Sequence, residues 1–309
     1  MFKRLSLDTH SRIELIEDAV RAVALVLPGR FEDAELCAQS LMSAVNILCL
    51  RHTHCLVRQQ DELLTGFNAQ IEQQYLKHKL SNIAALTLSV VSYTEVVFEM
   101  LVHKSKESVN QRWRWIAGLE GVKVILRLIL FYATRKKMVI HPTHFARGDE
   151  DDKINLATLD TRIGIPASST LSGSLPRLGW AHVAELLWIF RPLIYVGLMW
   201  KRSKKKNAKE GEENDSWKPW IISLGIDLVA RLAREMQPMT PLEREESRRR
   251  DYLLLFYLFR QPFYDFFTRP VVDMFCDATE HRPLISVFAA ALSDYRPFWE
   301  QYYFCTSGS

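Results

Sequence analysis

The 309-residue sequence is short of the residues that break helices and turn strands. Glycine and proline number only 12 each, and no stretch alternates apolar and polar residues long enough to specify a half-buried strand. An all-β fold is therefore excluded. No apolar run of about 20 residues is free of charge, and mean hydropathy is −0.08, too low for a polytopic membrane protein. The first residues, Met-Phe-Lys-Arg-Leu-Ser-Leu-Asp, lack the apolar stretch of a secretory signal. The five cysteines, Cys37, Cys49, Cys55, Cys276 and Cys305, show no paired spacing, so free thiols in a reducing compartment are expected. The C-terminus ends Ser-Gly-Ser, without the Ser-Lys-Leu address of the peroxisome lumen. Net charge is only +4, so any basic surface must be local.

Chemistry is scarce as well. There is no Gly-x-Ser-x-Gly elbow, no glycine-rich phosphate loop and no Cys-x-x-Cys pair. His52, His54 and Cys55 are two or three apart, and residues two apart on a helix do not converge. His141 and His144 with Asp149 make only a weak metal set. The sharpest catalytic pattern is His144-x4-Asp149, the spacing of base and carboxylate in glycerolipid acyltransferases. It falls in a polar segment where nothing would hold the pair in register, and no acyl-phosphate motif follows it. No catalytic, cofactor or metal residue is assigned. The lysine run at 201–206 lacks interleaved aromatics, so nucleic acid is not expected as a ligand; with nothing that looks like an active site, neither is a small-molecule substrate.

What the sequence does contain is helical periodicity. Ile13, Ile16, Val20, Val23 and Leu27 mark a helix from Ser11 that Pro28-Gly29 ends. A second is expected from about Asp33 past Leu50, and a third over Asn68 to Lys104 with Glu95 and Glu99 one turn apart. Trp113 to Tyr132 is apolar except for Glu120, Lys123 and Arg127, whose spacing places them on one stripe. Each Leu, Ile, Val or Phe returns roughly 0.3–0.6 kcal/mol on insertion, while each central charge costs about 3 kcal/mol. This helix should not cross lipid alone; it can lie in the interface or turn its stripe into a bundle. Arg135 to Lys137 closes it.

From His141 to about Gly179 the chain is polar and irregular, with acids at 149–152 and serines at 168–174. It reads as a loop or linker that divides the protein into an N-terminal helical half, 1–140, and a C-terminal half, 180–309. The second half opens with Trp180 to Trp200, about 30 Å long as a helix, bracketed by tryptophans and flawed by Glu185 and Arg191. Apolar gain and the cost of Arg191 roughly cancel there, at about 3–4 kcal/mol each, so insertion requires a partner for Arg191, with Glu185 and Asp227 the candidates. Lys201 to Lys206 follows. Trp217 to Ala230 is apolar but short, and Asp227 can pair with Arg231 one turn on. A further helix starts at Thr240-Pro241, with Glu243 placed for a capping box. Arg248 to Arg250 then meet an aromatic run, Tyr252 to Phe259, that Pro262 interrupts. Val271 to Cys276, Leu284 to Leu292 and an aromatic tail from Tyr295 complete the chain. The fold class expected is all-α: a membrane-associated multi-helix bundle in two halves joined by a polar loop.

Trp113, Trp115, Trp180, Trp200, Trp217 and Trp220 are the aromatic candidates for the lipid interface. Lys204, Lys205, Lys206, Arg248, Arg249 and Arg250 are the basic candidates for anionic headgroups. Glu120, Lys123, Arg127, Glu185, Arg191 and Asp227 are the candidate charges within the membrane-embedded part, in Trp113–Tyr132 and the Trp180–Ala230 region.

Several blocks together resemble the peroxin-sixteen family of peroxisomal membrane biogenesis proteins. They are Gly29-Arg-Phe31, Thr94-Glu-Val-Val-Phe-Glu-Met100, Ala184-Glu185 with Arg191-Pro192-Leu193, and Ser216-Trp-Lys-Pro-Trp220. The longest runs from Glu243 through Arg250 to Pro262-Phe-Tyr-Asp265. They follow the family's order over nearly the whole chain. The basic stretch Arg51 to Arg58 is thinner than the cluster some relatives carry there, with His52 and His54 in place of stronger cations. The resemblance implies a non-enzymatic factor of the peroxisomal membrane, reached by way of the endoplasmic reticulum in animals, with both termini in the cytosol. It implies partners among the peroxisomal membrane peroxins and the chaperone-receptor machinery that imports peroxisomal membrane proteins, besides membrane lipid. It transfers no catalytic residue and no cofactor. Two rivals stand beside it: a membrane-bound acyltransferase working through His144 and Asp149, and a peripheral helical scaffold.

Overall fold

A computed structural model describes residues 18–24, 33–59, 79–105, 109–133, 138–139, 179–208, 217–236, 239, 241–279 and 296. Among these the regular structure is helical and no strand occurs. Beyond the helical residues 18–24, the elements are α1 (Ala34–Gln59), α2 (Lys79–Lys104), α3 (Val109–Ala133), α4 (Gly179–Ala208), α5 (Lys218–Glu235), α6 (Pro241–Leu253) and α7 (Arg269–Thr279). Between α6 and α7 the chain tightens into a 3₁₀ stretch, Leu254–Phe259, and then widens into a π turn, Tyr264–Thr268. The helix expected across the aromatic run thus ends before Pro262, which has no N–H to continue it. The polar loop with His141, His144 and Asp149, the 284–292 stretch and the aromatic tail but for residue 296 lie outside the described residues, as does Thr240.

Contacts divide the chain into two compact units, Met1–Lys104 with His141–Ile163, and Ser105–Ile140 with Gly164–Ser309. By sequence order α3 stands in the first half; by packing it stands with α4, because its inward stripe and the Trp113 region find their complement there.

In the first unit α1 packs on α2 through small side chains. Ala34, Ala38, Val45 and Cys49 are buried on one helix, and Ser81, Ala84, Ala85, Leu88 and Ser89 on the other. Small residues let two backbones approach closely, the device helices use when lipid removes the hydrophobic drive between them. Ser43 Oγ donates to the Tyr93 carbonyl at 2.6 Å, and Lys104 pairs with Asp33 at 2.6 Å. The outward positions of α2 include Leu80, Ile83 and Leu101, all exposed. Both α2 and Gly179–Lys204 of α4 are long and apolar enough to cross a membrane. The first of these did not stand out in the sequence, where Glu95 and Glu99 interrupt the run.

In the second unit α4 is central, with α3 on one side and α5 on the other. Phe131 meets His182, Trp113 packs against Val196, and Trp200 Nε1 donates to Asn110 Oδ1 at 2.8 Å, so α3 runs antiparallel to α4. Helix α4 continues past Pro192 despite the lost backbone donor. Helix α5 begins at a turn in which Pro219 occupies the first positions, where a missing N–H costs nothing.

The seam between α1 and α2 yields a contrast. Ala84→Leu should overpack it and lower stability by about 1–3 kcal/mol. Leu80→Ala, on the outer face of the same helix, should change unfolding in detergent by less than about 0.5 kcal/mol. Thermal unfolding of both variants followed by circular dichroism checks the assignment of faces.

Candidate functional site

The second unit turns its charges inward. Glu120, Lys123, Arg127, Glu185, Arg191 and Asp227 are all buried. The Glu120–Lys123–Arg127 stripe of α3 therefore faces the bundle, with Lys123 Nζ donating to Glu120 Oε1 at 2.9 Å. At the centre sits the Trp188 indole of α4. The Arg250 guanidinium lies 3.6 Å from its ring centroid, Arg127 at 5.1 Å and Arg191 at 6.0 Å, so three cations share one aromatic face system.

Arg250 is the hub. Its Nη1 and Nη2 donate to the two carboxylate oxygens of Glu185 at 2.8 and 2.9 Å, the bidentate fork that suits arginine. Its Nε donates to Glu246 Oε1 at 2.9 Å, and Nη2 also donates to the Val139 carbonyl at 2.8 Å. Glu185 Oε1 in turn accepts from the Val139 N–H at 3.0 Å. Glu246 is shared with Arg249, whose Nη2 lies 2.7 Å from it. Six residues beyond Glu185 on α4, Arg191 Nη1 donates to Asp227 Oδ2 of α5 at 2.5 Å. Of the two candidate partners for Arg191, Asp227 is the one that bonds it. Asp227 does not take Arg231, which instead bonds Glu235 at 3.0 Å and approaches Asp251 at 3.4 Å. The physical reason is facing: Asp227 is on the buried side of α5, Arg231 on the wetter side.

Burial sets the proton affinities, and the partners overrule it. Burial alone would raise the Glu246 pKa, but the charges and hydrogen bonds of Arg249 and Arg250 hold it below the ordinary glutamate value of 4.5. Burial would lower the Arg250 pKa; the opposite charges and hydrogen bonds of Glu185 and Glu246 raise it instead, so it stays charged. The Tyr257 phenol is pushed up, chiefly by burial. Its hydroxyl hydrogen-bonds Ser223 at 2.9 Å, and its carbonyl accepts from Trp220 Nε1 at 3.0 Å.

The exterior is the complement of this interior. On α5 the buried positions are Pro219, Ser223, Asp227, Ala230 and Arg234, three of them polar, while Ile221, Ile222, Leu228, Val229 and Leu232 are exposed. On α3 the Glu120, Lys123 and Arg127 charges are inside, and Trp115, Val122, Ile125 and Tyr132 are outside. A water-soluble bundle shows the reverse arrangement. An apolar exterior of this extent suits contact with lipid chains.

The interface candidates separate into groups. Trp115 and Trp180 are exposed. Trp200 is partly buried, with Lys204 Nζ 4.2 Å from its ring centroid. Trp217 and Trp220 join Phe263, Phe266 and Phe267 in one aromatic cluster, with Trp220 stacked on Phe263 at 5.3 Å. Arg248 is exposed and Arg249 half-buried. Two candidates depart from expectation. Trp113 is 8% exposed and belongs to the core with Ile116, Tyr195 and Val196. Arg250 is 1% exposed and is no headgroup cation, because Glu185 and Glu246 claim its whole fork. The side chains of Lys205 and Lys206 lie outside the described residues, as do His144 and Asp149. Sequence reasoning missed Glu246 and Trp188. The spacing of Glu246 to Arg249 and Arg250, three and four residues, was a legible signal; the convergence on Trp188 was not.

Two consequences are measurable. Arg250→Leu leaves Glu185 buried without its cation and Glu246 with Arg249 alone, and should cost about 3–5 kcal/mol in detergent unfolding. Arg191→Leu should likewise destabilise, while Arg191→Leu with Asp227→Leu should recover most of the loss in a double-mutant cycle. As to pH, the lowered Glu246 pKa means its stabilisation is complete above about 4.5 and is lost as pH falls through the native value. Glu246→Gln should therefore flatten the acid limb of a stability profile between about pH 5 and 2.

The profile of a family described as "Peroxisomal membrane protein (Pex16)" matches residues 3–163 and 161–301. A protein named peroxisome biogenesis factor 16 from Dictyostelium discoideum is 32% identical over 134 residues, covering 41% of this chain and 31% of that one. Peroxisomal membrane protein PEX16 of Schizosaccharomyces pombe is 24% identical over 307 residues, covering 84% of each. Peroxisome biogenesis protein 16 of Arabidopsis thaliana is 28% identical over 138 residues, covering 41% of this chain and 35% of the relative. The chain thus aligns with about a third of the length of the first and third of these relatives. No solved structure matches. The matched family is one of peroxisome biogenesis factors, not of enzymes. With its match running across nearly the whole sequence, this chain belongs to the Pex16 family of peroxisomal membrane proteins.

Proposed function

We propose that this protein is a peroxisomal membrane biogenesis factor that recruits a partner membrane peroxin and thereby supports the targeting and insertion of other peroxisomal membrane proteins. The observation that carries the reading is the family match from residue 3 to residue 301. The charged interior and apolar exterior of the second unit support it, because they suit a bundle held by lipid. In this reading α4, with α3 and α5 packed beside it, holds the chain in the bilayer. The surfaces that project into the cytosol, with both termini, meet the partner peroxin and the chaperone receptor that delivers clients. The protein reaches the peroxisome through the endoplasmic reticulum membrane. The acyltransferase alternative through His144 and Asp149 draws no support from the family, which is not one of enzymes.

Deleting the gene and imaging peroxisomal membrane markers tests the reading. Loss or mislocalisation of the markers, restored by the wild-type chain and by His144→Ala alike, is the expected result; markers unchanged by the deletion would overturn it. Alkaline carbonate extraction separates an integrated chain from a peripheral scaffold: retention in the membrane pellet is expected, and release into the supernatant would favour the scaffold.

A further inference from the structure

Three helix ends from distant parts of the sequence are gathered at one end of the second unit. The start of α3 meets the end of α4 through the Trp200–Asn110 hydrogen bond and the packing of Trp113 on Tyr195 and Val196. The start of α5 meets the same end of α4. Arg191 pairs with Asp227, while Tyr257, bonded to Ser223, shares the Arg260 guanidinium with Tyr195, 4.9 and 4.7 Å from the two ring centroids. The two helices are therefore antiparallel, which brings the end of α4, from Lys201, to the same end of the unit as the start of α5 at Lys218.

Among the described residues the charges at these ends are of one sign; Glu210, Glu212, Glu213 and Asp215, between α4 and α5, lie outside the described residues. Arg112 and Arg114 come from α3, Lys201, Arg202 and Lys204 from α4, and Lys218 from α5. Arg114, Lys201, Lys204 and Lys218 are exposed, and Arg112 and Arg202 half-buried. The acids of these helices, Glu120, Glu185, Asp227 and Glu235, lie at least six residues further along their helices, about 9 Å or more away, and Glu120, Glu185 and Asp227 are buried. Aromatic side chains sit among the cations: Trp115 exposed, Trp200 under the Lys204 ammonium, and Trp217 against Phe266 and Phe267. Asp265, next to Phe266, is the acid nearest this aromatic cluster in the chain. Away from the collar, the outward faces of α3 and α5 turn apolar, with Val122 and Ile125, and Ile221 and Ile222.

We propose that this collar of Arg112, Arg114, Lys201, Arg202, Lys204 and Lys218 is a binding surface for anionic phospholipid headgroups, fixing the depth at which the bundle sits. The proposal rests on reading the chain as a membrane-associated biogenesis factor and names the lipid that its basic end selects. A lipid surface is favoured over an acidic protein segment by continuity. The cations lie at the ends of three neighbouring helices and border apolar helix faces, with tryptophans among them, which is the order of headgroup, interface and acyl chain in a bilayer.

The full-length chain, made by cell-free synthesis, is mixed with vesicles of phosphatidylcholine alone or with an equal share of phosphatidylserine, and flotation is measured. The wild type should float preferentially with the anionic vesicles, and added salt should remove the preference. Changing Lys201, Lys204 and Lys218 to Gln should weaken that preference by about fivefold per cation, or about a hundredfold in all. Binding to phosphatidylcholine should remain. A Lys→Arg version of the same triple change keeps the charge and should keep the preference, which separates headgroup binding from a folding defect. Equal flotation of the wild type with both vesicles would overturn the proposal. So would a Gln variant that retains the full preference. If lipid preference is absent but the Gln variant fails to restore peroxisomes in deleted cells, the collar belongs to an acidic protein partner instead. The vesicle assay is independent of peroxisome rescue, so the failure of either reading is visible separately.

Discussion

Arg250 cannot be removed from its surroundings without stranding the Glu185 carboxylate and leaving Glu246 to Arg249 alone. It lies almost wholly out of solvent between Glu185 of α4 and Glu246 of its own helix, over the face of Trp188. Taking one ion out of water costs several kcal/mol even after relaxation, and attraction repays this only when geometry is near ideal and the remaining hydrogen-bonding groups are filled. Here the fork meets both oxygens of Glu185, the third donor meets Glu246, and the Val139 backbone fills one more position on each side. The cluster thus fixes three separate segments, 138–139, α4 and α6, in one register. Such a cluster is weak evidence for high stability and strong evidence for a single arrangement, because any shift by one turn would strand a charge.

The rest of the second unit follows from the same constraint. Once the central charges of α3, α4 and α5 are committed to the interior, many of their apolar residues face out. Helix α5 shows this most plainly: Ser223, Asp227 and Arg234 point in, and Ile221, Ile222, Leu228, Val229 and Leu232 point out. In water this would expose a broad apolar surface at considerable cost. In lipid the cost disappears, and the interior pairs spare the bilayer the charges. The first unit reaches a related solution with small residues instead of ions, placing Ala84, Ala85 and Ser89 on its seam and Leu80 and Ile83 outside it.

Helical periodicity was legible from spacing alone, and so was the stripe of Glu120, Lys123 and Arg127, because both depend on residues within one or two turns. The need of Arg191 for a partner was legible from transfer energies. Its identity was narrowed to two acids, and only packing could choose Asp227, which faces α4, over Glu185, which Arg250 occupies. Arg248 to Arg250 read as one basic cluster in sequence, yet consecutive residues on a helix point in different directions. Arg248 therefore reaches solvent while Arg250 is sealed. Trp113 misled for the same reason: beside the exposed Trp115, it lies on the opposite face and enters the core. The collar was half legible, through its lysines, and the other half required knowing that α3 and α5 begin where α4 ends.

The partners of α4 lie far along the chain. Asp227 is 36 residues beyond Arg191, and Arg250 is 65 beyond Glu185. Considered alone, α4 gains from its apolar residues about as much as Arg191 costs it, so isolated insertion is close to neutral. Its stable placement in a bilayer requires α5 and α6 to have been synthesised and packed. Helix α5 depends on α4 in the same way, since Asp227 without Arg191 would be a bare buried carboxylate. The two helices are thus mutually dependent, and their energetics favour entry as a pair over entry in sequence. The hold of α4 and α5 on lipid is thus tied to the ion pair they share.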